Sequence, residues 1–211
     1  MLRRDRFERP ATRFSESLLV SPGFAAACYN SATALRNKRE LSDPGCAMPS
    51  SLEELRLGLA AESIAARLEA AENLARMGQE ARPAAVDLVR ACGDGQAEVR
   101  EWAAAALEEM GPPDEADAAA LAPLVASQET DVAYWAATLL GRLEGRAAAF
   151  IEPLAEAVNG HRHQHVRHRA AWALGKIAAD IPAVRAALET AAGAEDPRLA
   201  RLAVRALASL P

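Results

Sequence analysis

The chain is poor in aromatic residues and cysteine, and it has no long uninterrupted hydrophobic run. Only 4% of its 211 residues are aromatic, and its three cysteines, Cys28, Cys46 and Cys92, form no CxxC pair. This spacing supports neither a disulfide framework nor a zinc knuckle. No run approaches the roughly 18 consecutive apolar residues of a membrane-spanning helix. The sequence therefore predicts no membrane segment.

Alanine takes the place of the missing bulk. The chain contains 52 alanines, 45 of them at or after position 50. Alanine is the best helix former and a poor strand former. Because 25% of the residues are also charged, the composition predicts a soluble all-α protein, which we expect in the cytoplasm.

Charge is distributed unevenly along the chain. The net charge is +3 in residues 1–49, −12 in residues 50–159 and +4 in residues 160–211. A duplex DNA binder presents a broad basic face, whereas most of this chain would repel phosphate. The asymmetry favours a protein partner with its own charge pattern, or head-to-tail self-association. Helix faces that only contact solvent are the alternative explanation.

The first 49 residues do not share the pattern of the rest. Five arginines precede position 14, and residues 17–28 form a weakly apolar stretch that resembles a poor signal peptide or lipobox. Acidic residues in the basic part and Pro22-Gly23 in the apolar part argue against export. A natural start at Met48 is an alternative. No helix or strand period is sustained, so we expect residues 1–49 to be a poorly ordered or wrongly assigned tail.

From residue 50 onward the sequence repeats every 33 or 34 residues. Five 13-residue segments align without gaps: 66–78, 99–111, 132–144, 166–178 and 199–211. We number the positions of this alignment as columns 1 to 13. Column 5 is always alanine, column 9 is always leucine, and column 12 is methionine, leucine or isoleucine. Columns 1, 5, 8, 9 and 12 lie on one helical stripe, which predicts five helices with the same buried face.

A second apolar segment precedes each of these helices. These segments are residues 52–60, 82–92, 117–127, 149–158 and 181–191. Prolines mark or kink four of them, and we expect kinks at Pro123 and Pro153, which lie deeper than the first helical position. One helical hairpin cannot bury its apolar face alone. Residues 50–211 are therefore predicted to form an α-solenoid of about five hairpins, each with a helix A followed by a helix B.

This pattern resembles the HEAT repeat, in particular the short bacterial HEAT-like repeats named after phycobilisome lyases. The signature is Val-Arg, then Ala-Ala, then Ala-Leu-Gly, and residues 166–175 match it best. The resemblance covers residues 50–211 and implies a solenoid whose B helices line the concave face. Family members include bilin lyases, DNA glycosylases, an iron hydroxylase and pure scaffolds, so the resemblance implies a fold and leaves the function open.

The sequence contains no recognisable catalytic constellation. It has no P-loop, no GxGxxG, no defensible triad, and none of the His-Glu pairs of the hydroxylase-like family members. The conspicuous histidines are His161, His163, His165 and His168. Alternation places successive imidazoles on opposite sides of an extended loop, and no cysteine or carboxylate completes a metal shell. We therefore predict no catalytic residue, no metal site and no cofactor.

The strongest candidate for binding is a set of aromatic and basic residues on the third and fourth B helices. Columns 3, 4, 7 and 11 flank the buried stripe, and there the set comprises Tyr134, Trp135, Arg142, His168, Arg169, Trp172 and Lys176. Trp, Tyr and Arg dominate binding hot spots, and Arg beside Trp permits a cation–π contact. We expect Trp135, Arg169 and Trp172 to share one partly exposed patch. Tryptophans that only fill gaps in an alanine-rich core are the alternative.

These features favour a non-enzymatic protein-interaction scaffold with another protein as its partner. One alternative is an enzyme or enzyme subunit of the bilin-lyase-like class, which a basic, aromatic groove for a tetrapyrrole would favour. The other is a HEAT protein that binds nucleic acid, which salt-dependent retention on DNA would favour.

Overall fold

The computed structural model describes residues 51–179 and 181–211. In this part of the chain there are ten α-helices and no strand. The α-helices are α1 (Leu52–Leu59), α2 (Ile64–Met77), α3 (Ala85–Ala91), α4 (Ala97–Glu109), α5 (Ala118–Leu121), α6 (Thr130–Leu143), α7 (Glu152–Gly160), α8 (Gln164–Ile177), α9 (Pro182–Ala192) and α10 (Pro197–Leu207). Short 3-10 helices cover Gly78–Ala84, Glu115–Asp117, Ala122–Ala126 and Glu144–Phe150. The predicted disorder of residues 1–49 concerns residues outside the described ones.

Successive helices pair into five hairpins that stack along the chain, which confirms the predicted all-α solenoid. The B helices are α2, α4, α6, α8 and α10, and each begins two residues before column 1 of its repeat. Among the described helices, α1 and α10 begin with a side-chain cap, from Ser51 and Asp196. Asp196 accepts hydrogen bonds from the backbone N–H groups of Arg198 and Leu199 and so caps α10. None of the helices described here is long and apolar enough to cross a membrane.

In the first four hairpins the A helix is shorter than the B helix, and in the last hairpin both have 11 residues. Pro83 lies inside the 3-10 helix Gly78–Ala84, and Pro123 lies in the first turn of the 3-10 helix Ala122–Ala126. The predicted kink at Pro153 is wrong, because α7 begins at Glu152 and Pro153 occupies its first turn. An N–H at that position has no helical partner, so proline fits there without bending the helix.

The core lies along the stripe that the repeat columns predict. Leu107 and Leu140 of column 9 are completely buried, as are the alanines of column 5 in the three central hairpins. In the last repeat Ala203 of column 5 is also buried, whereas Leu207 of column 9 and Leu210 of column 12 are partly exposed. The hydrophobic stripe therefore holds each hairpin to its neighbours as well as helix A to helix B.

Four of the B helices end at column 13 with a positive φ angle. The values are 55° at Gly78, 80° at Gly111, 54° at Glu144 and 51° at Ala178. Glycine adopts this conformation freely, whereas a residue with a Cβ atom adopts it at a cost. The third and fourth B helices thus end with strained backbone.

The B helices are not evenly spaced. The backbones of α2 and α4, of α6 and α8, and of α8 and α10 run close together, whereas those of α4 and α6 do not. At the close junctions a small residue in column 10 faces a small residue in column 8 of the next repeat, as Gly141 faces Ala173. Between α4 and α6 these columns hold Glu108 and Leu139, whose side chains keep the helices apart. We call the contact of α4 with α6 the wide junction.

Candidate protein-interaction surface

Five of the seven predicted binding residues meet along α6 and α8. They are joined by ring and guanidinium contacts and comprise Tyr134, Trp135, Arg142, Arg169 and Trp172. We call this set the aromatic–arginine cluster. It lies at the junction of the third and fourth hairpins, and one of its residues, Arg142, reaches back to the second.

Arg169 of α8 lies between two aromatic rings. Its Cζ atom is 4.4 Å from the ring centroid of Tyr134 and 4.9 Å from that of Trp172. Its Nη2 group also donates a hydrogen bond to the hydroxyl of Tyr134. Trp172 is three residues further along the same helix, which places it on the same face. The guanidinium is therefore held in position by aromatic groups from two helices.

Trp135 is more buried than expected. Only 8% of the residue is exposed, and its ring lies edge-on to that of Tyr134 at a centroid distance of 5.8 Å. The predicted partly exposed position beside Arg169 is wrong, because Tyr134 occupies the place next to that guanidinium. Trp135 instead contacts Arg142, whose Cζ is 5.7 Å from the ring centroid.

Arg142 closes the wide junction. Its Nη1 group donates to the carbonyl oxygens of Leu107 at 2.5 Å and of Gly111 at 3.1 Å. These carbonyls lie at the C-terminal end of α4, where unpaired carbonyl groups attract cations. Burial lowers the pKa of Arg142, the nearby charge of Arg169 lowers it further, and Glu108 opposes both. Arg142 is thus committed to α4, and Arg169 is the cation of the cluster that remains free for a partner.

Trp172 lies over a glycine of the neighbouring helix and is only partly buried. An ideal Cβ atom on Gly141 would lie 2.5 Å from Cζ3 of Trp172 and 3.0 Å from the Cα atom of Ala173. The missing side chain at position 141 therefore allows the tryptophan ring to pack closely against α6, while the residue stays partly exposed.

His168 does not belong to the cluster. The residue is 7% exposed, and its Nε2 atom lies 2.6 Å from Oδ2 of Asp196 at the start of α10. Burial lowers the pKa of His168, although Asp196 opposes the shift. Its Nδ1 atom is buried without a partner among the described residues. A neutral ring that donates from Nε2 avoids a buried unpaired N–H, so His168 serves the packing of α8 against α10.

Lys176 lies in the last turn of α8 and is exposed. No contact in the described ranges joins it to the aromatic–arginine cluster.

The loop between α7 and α8, residues 161–163, carries His161 and His163. Its side chains link successive hairpins, so its role differs from that of the cluster. His161 lies 3.2 Å from the carbonyl oxygen of Ser127, and Arg162 donates to that of Gln128 at 2.5 Å. Among residues 51–179 and 181–211, no group of three metal-ligating side chains comes together.

Comparison with known families identifies the repeat. A family model described as HEAT repeats matches residues 118–208, which run from α5 through α10. Residues 118–208 are therefore similar to HEAT repeats. The resemblance seen in the sequence is thereby confirmed for the repeat class, and the phycobilisome-lyase subtype stays a prediction. None of the curated proteins matches this chain.

Solved repeat proteins share the architecture of this solenoid. A designed armadillo repeat protein in complex with the peptide (KR)4 is 19% identical, with a TM-score of 0.54 over 90% of this chain and 95% of that chain. An engineered protein from the Northeast Structural Genomics Consortium is 22% identical, with a TM-score of 0.53 over 76% of this chain and 81% of that chain. At these identities the likeness shows the fold alone.

The surface of the solenoid changes charge across the wide junction. Exposed glutamates, Glu101, Glu108 and Glu109, lie on α4. Partial desolvation raises the pKa of Glu108, and Arg142 opposes that shift. On the other side, neither Arg142 nor Arg169 forms an ion pair with any carboxylate of the described residues. The B-helix face is therefore acidic on α4 and basic on α8.

Sequence reasoning missed the wide junction and the carbonyl groups that hold Arg142. The signal was present in the repeat alignment, in column 10 of one repeat and column 8 of the next. At the three close junctions both columns hold small residues, whereas at the wide junction they hold Glu108 and Leu139. A comparison of these columns between successive repeats would have located the gap.

Proposed function

We propose that this HEAT solenoid is a non-enzymatic interaction scaffold that acts in the cytoplasm and binds another protein on the B-helix face of its third and fourth hairpins. The observation that carries the proposal is the position of Arg169 between Tyr134 and Trp172. Within the described residues this guanidinium has no carboxylate partner, so its charge is available to a bound molecule.

The chemistry of the cluster favours a partner segment with an acidic side chain beside an apolar one. An arginine presents parallel N–H groups that match both oxygens of a carboxylate. The ring contacts already restrict the orientation of Arg169, so less side-chain entropy is lost on binding. The exposed part of Trp172 offers apolar area next to the charge, a combination typical of binding hot spots.

The charge pattern of the B-helix face favours one orientation of a bound partner segment. A segment lying across it would place acidic residues over Arg169 and Lys176 of α8 and basic residues over Glu101 and Glu109 of α4. Such complementarity mainly sets the orientation and the rate of association. It also agrees with a chain whose acidic middle and basic C-terminal part require a partner of mixed charge.

Peptide selection on the full-length protein tests the proposal. A random displayed library is selected against the wild-type chain, and the enriched peptides are measured by fluorescence polarisation. We expect acidic residues next to an apolar one in these peptides. Arg169→Gln should weaken their binding by about tenfold or more, and Arg169→Lys should also weaken it because lysine lacks the planar fork.

Arg146→Gln is the matched control, since Arg146 is an exposed arginine of the neighbouring 3-10 helix outside the cluster. Circular dichroism verifies that all variants fold. Peptides without acidic enrichment, or equal affinity for wild type and both Arg169 variants, would contradict the proposal. Retention on duplex DNA that falls steeply with salt and depends on Arg169 would favour the nucleic-acid alternative.

A further inference from the structure

The large exposed hydrophobic side chains of the described residues all lie in the first and last hairpins. They are Leu57 and Ile64 in the first hairpin and Ile181 and Val204 in the last, with exposures of 67%, 49%, 39% and 57%. The three central hairpins have none. The two ends of the stack are therefore the places where apolar surface meets solvent.

The exposed face of α10 is the one that a following hairpin would cover. Column 6 shows this most clearly, because Ala71, Ala137 and Ala171 are completely buried there and Ala104 is 8% exposed. In the last repeat the same column holds Val204. Arg201 in column 3 and Ala208 in column 10 lie on the same face and are also exposed. Within the described residues, this stacking surface of the last hairpin is thus uncovered.

The two end hairpins carry net charges of opposite sign. The last hairpin, residues 181–211, contains four arginines and three acidic residues, and three of these arginines lie on α10, which has no acidic residue. The first hairpin, residues 51–78, contains five glutamates and three arginines. Arg201 and Glu69 are both exposed, and neither forms an ion pair elsewhere in the described residues.

The contacts inside the stack supply the register. Between α6 and α8, Tyr134 of column 3 contacts Arg169 of column 4 in the next repeat. If the stack continued from α10 into the first hairpin of a second copy, column 3 would be Arg201 and column 4 would be Glu69. The residue that follows the last repeat in this register is therefore of opposite charge to the residue it would meet.

We propose that copies of this chain associate head to tail, with the last hairpin of one copy stacked on the first hairpin of the next. Val204 is covered in the interface, and Arg201 pairs with Glu69 of the second copy. The interface is heterologous, so every assembly keeps one uncovered first hairpin and one uncovered last hairpin. The assembly therefore grows with concentration instead of closing as a dimer.

Sedimentation velocity of the full-length chain over a wide concentration range tests the proposal. The average mass should rise continuously with concentration and fall when salt is added, since charge pairs at an interface are screened. Arg201→Glu and Glu69→Arg should each weaken association by about tenfold or more, because each places like charges face to face. The double variant restores the pair and should recover association.

Arg146→Glu is the control and should behave as wild type, because this exposed arginine is in the middle of the stack. Val204→Glu should abolish association without affecting folding, which circular dichroism verifies. A chain that stays monomeric at every concentration overturns the proposal, as it would if residues 1–50 covered the first hairpin. A mass that stops at a dimer and is insensitive to Glu69→Arg also overturns it, because a symmetric contact between two last hairpins behaves in that way.

Discussion

Two junctions between B helices show how side-chain size shapes this solenoid. At the junction of α6 with α8, Gly141 lies against Ala173 and the backbones nearly touch. At the wide junction of α4 with α6, Glu108 and Leu139 occupy the equivalent positions and the backbones stay apart. Helix packing distances follow the side chains at the contact, so two columns of the repeat set the spacing.

The wide junction accommodates a charged side chain between the B helices. The wide junction leaves room for the guanidinium of Arg142 beside the C-terminal end of α4. That group replaces missing hydrophobic contact with hydrogen bonds to the end of α4. The aromatic–arginine cluster therefore forms where a wide junction is followed by a close one. Trp135 contacts both Arg142 and Tyr134, and Tyr134 in turn contacts Arg169.

The core should be equally strong on both sides of the wide junction. Leu107→Ala on α4 and Leu140→Ala on α6 should each lower the free energy of unfolding by about 2–5 kcal/mol, since both leucines are fully buried. Urea denaturation of each variant measures the loss. A change below about 0.5 kcal/mol in either variant would mean that the column is not core at that hairpin.

Adding a methyl group at the junction of α6 with α8 should push these two helices apart. Gly141→Ala places a Cβ atom against Trp172 and Ala173, so we expect a net loss of about 1–2 kcal/mol after the helix-propensity gain of alanine. The emission of Trp172 should shift as its ring is displaced. Gly160→Ala is the control, because nothing lies within 4 Å of an added Cβ there; equal stability of the two variants would refute the close packing.

Removing the guanidinium of Arg142 should affect the wide junction alone. Arg142→Gln leaves carbonyl groups of α4 with weaker partners, and we expect a loss of about 1–2 kcal/mol. Hydrogen exchange should rise in α4 and α6 and stay unchanged in α8 and α10. Uniform exchange throughout the chain would show that the contact has no local role.

The junction of α8 with α10 should respond to pH. Burial lowers the pKa of His168 below its ordinary value of 6.5, so the folded chain binds fewer protons at this site than the unfolded chain. The contribution is complete above about pH 6.5 and declines as the pH falls below it. A modest drop in Tm between about pH 7 and 5.5 should disappear in His168→Gln; an unchanged drop would assign it to other groups.

The smallest effect is expected from residues outside the repeats. Deletion of residues 1–47 should leave the helical circular dichroism and the Tm nearly unchanged, because no repeat column lies there. We propose that residues 50–211 form the whole folded unit. A loss of many degrees in Tm would instead show that the deleted segment supports the first hairpin.

The sequence was sufficient to predict the repeat, its period and its core. Ala136 and Leu140 could be placed inside the stack because a helical stripe depends only on spacing within one helix. Helix boundaries were less accessible. Residues 149–151 were expected to begin an A helix, yet the 3-10 helix Glu144–Phe150 precedes α7 and moves Pro153 into the first turn.

The candidate site was only partly predictable, because the burial of a flank residue depends on the neighbouring helix. The angular argument placed Trp135 correctly on α6 but ignored the group beside it, and Tyr134 took the expected place next to Arg169. His168 was assigned to the surface because the carboxylate that buries it, Asp196, lies in the next repeat. Contacts of this kind require the register between hairpins, which one column pattern does not contain.

The positive φ angles at Glu144 and Ala178 bear on how the repeats have diverged in sequence and on how such arrays can be engineered. The first two repeats keep glycine at the equivalent position, so these two repeats have moved away from the residue that the backbone suits best. A return to glycine by Glu144→Gly or Ala178→Gly would relieve strain without touching the binding face. Substitutions in the turn between one repeat and the next are therefore the simplest way to stabilise this array.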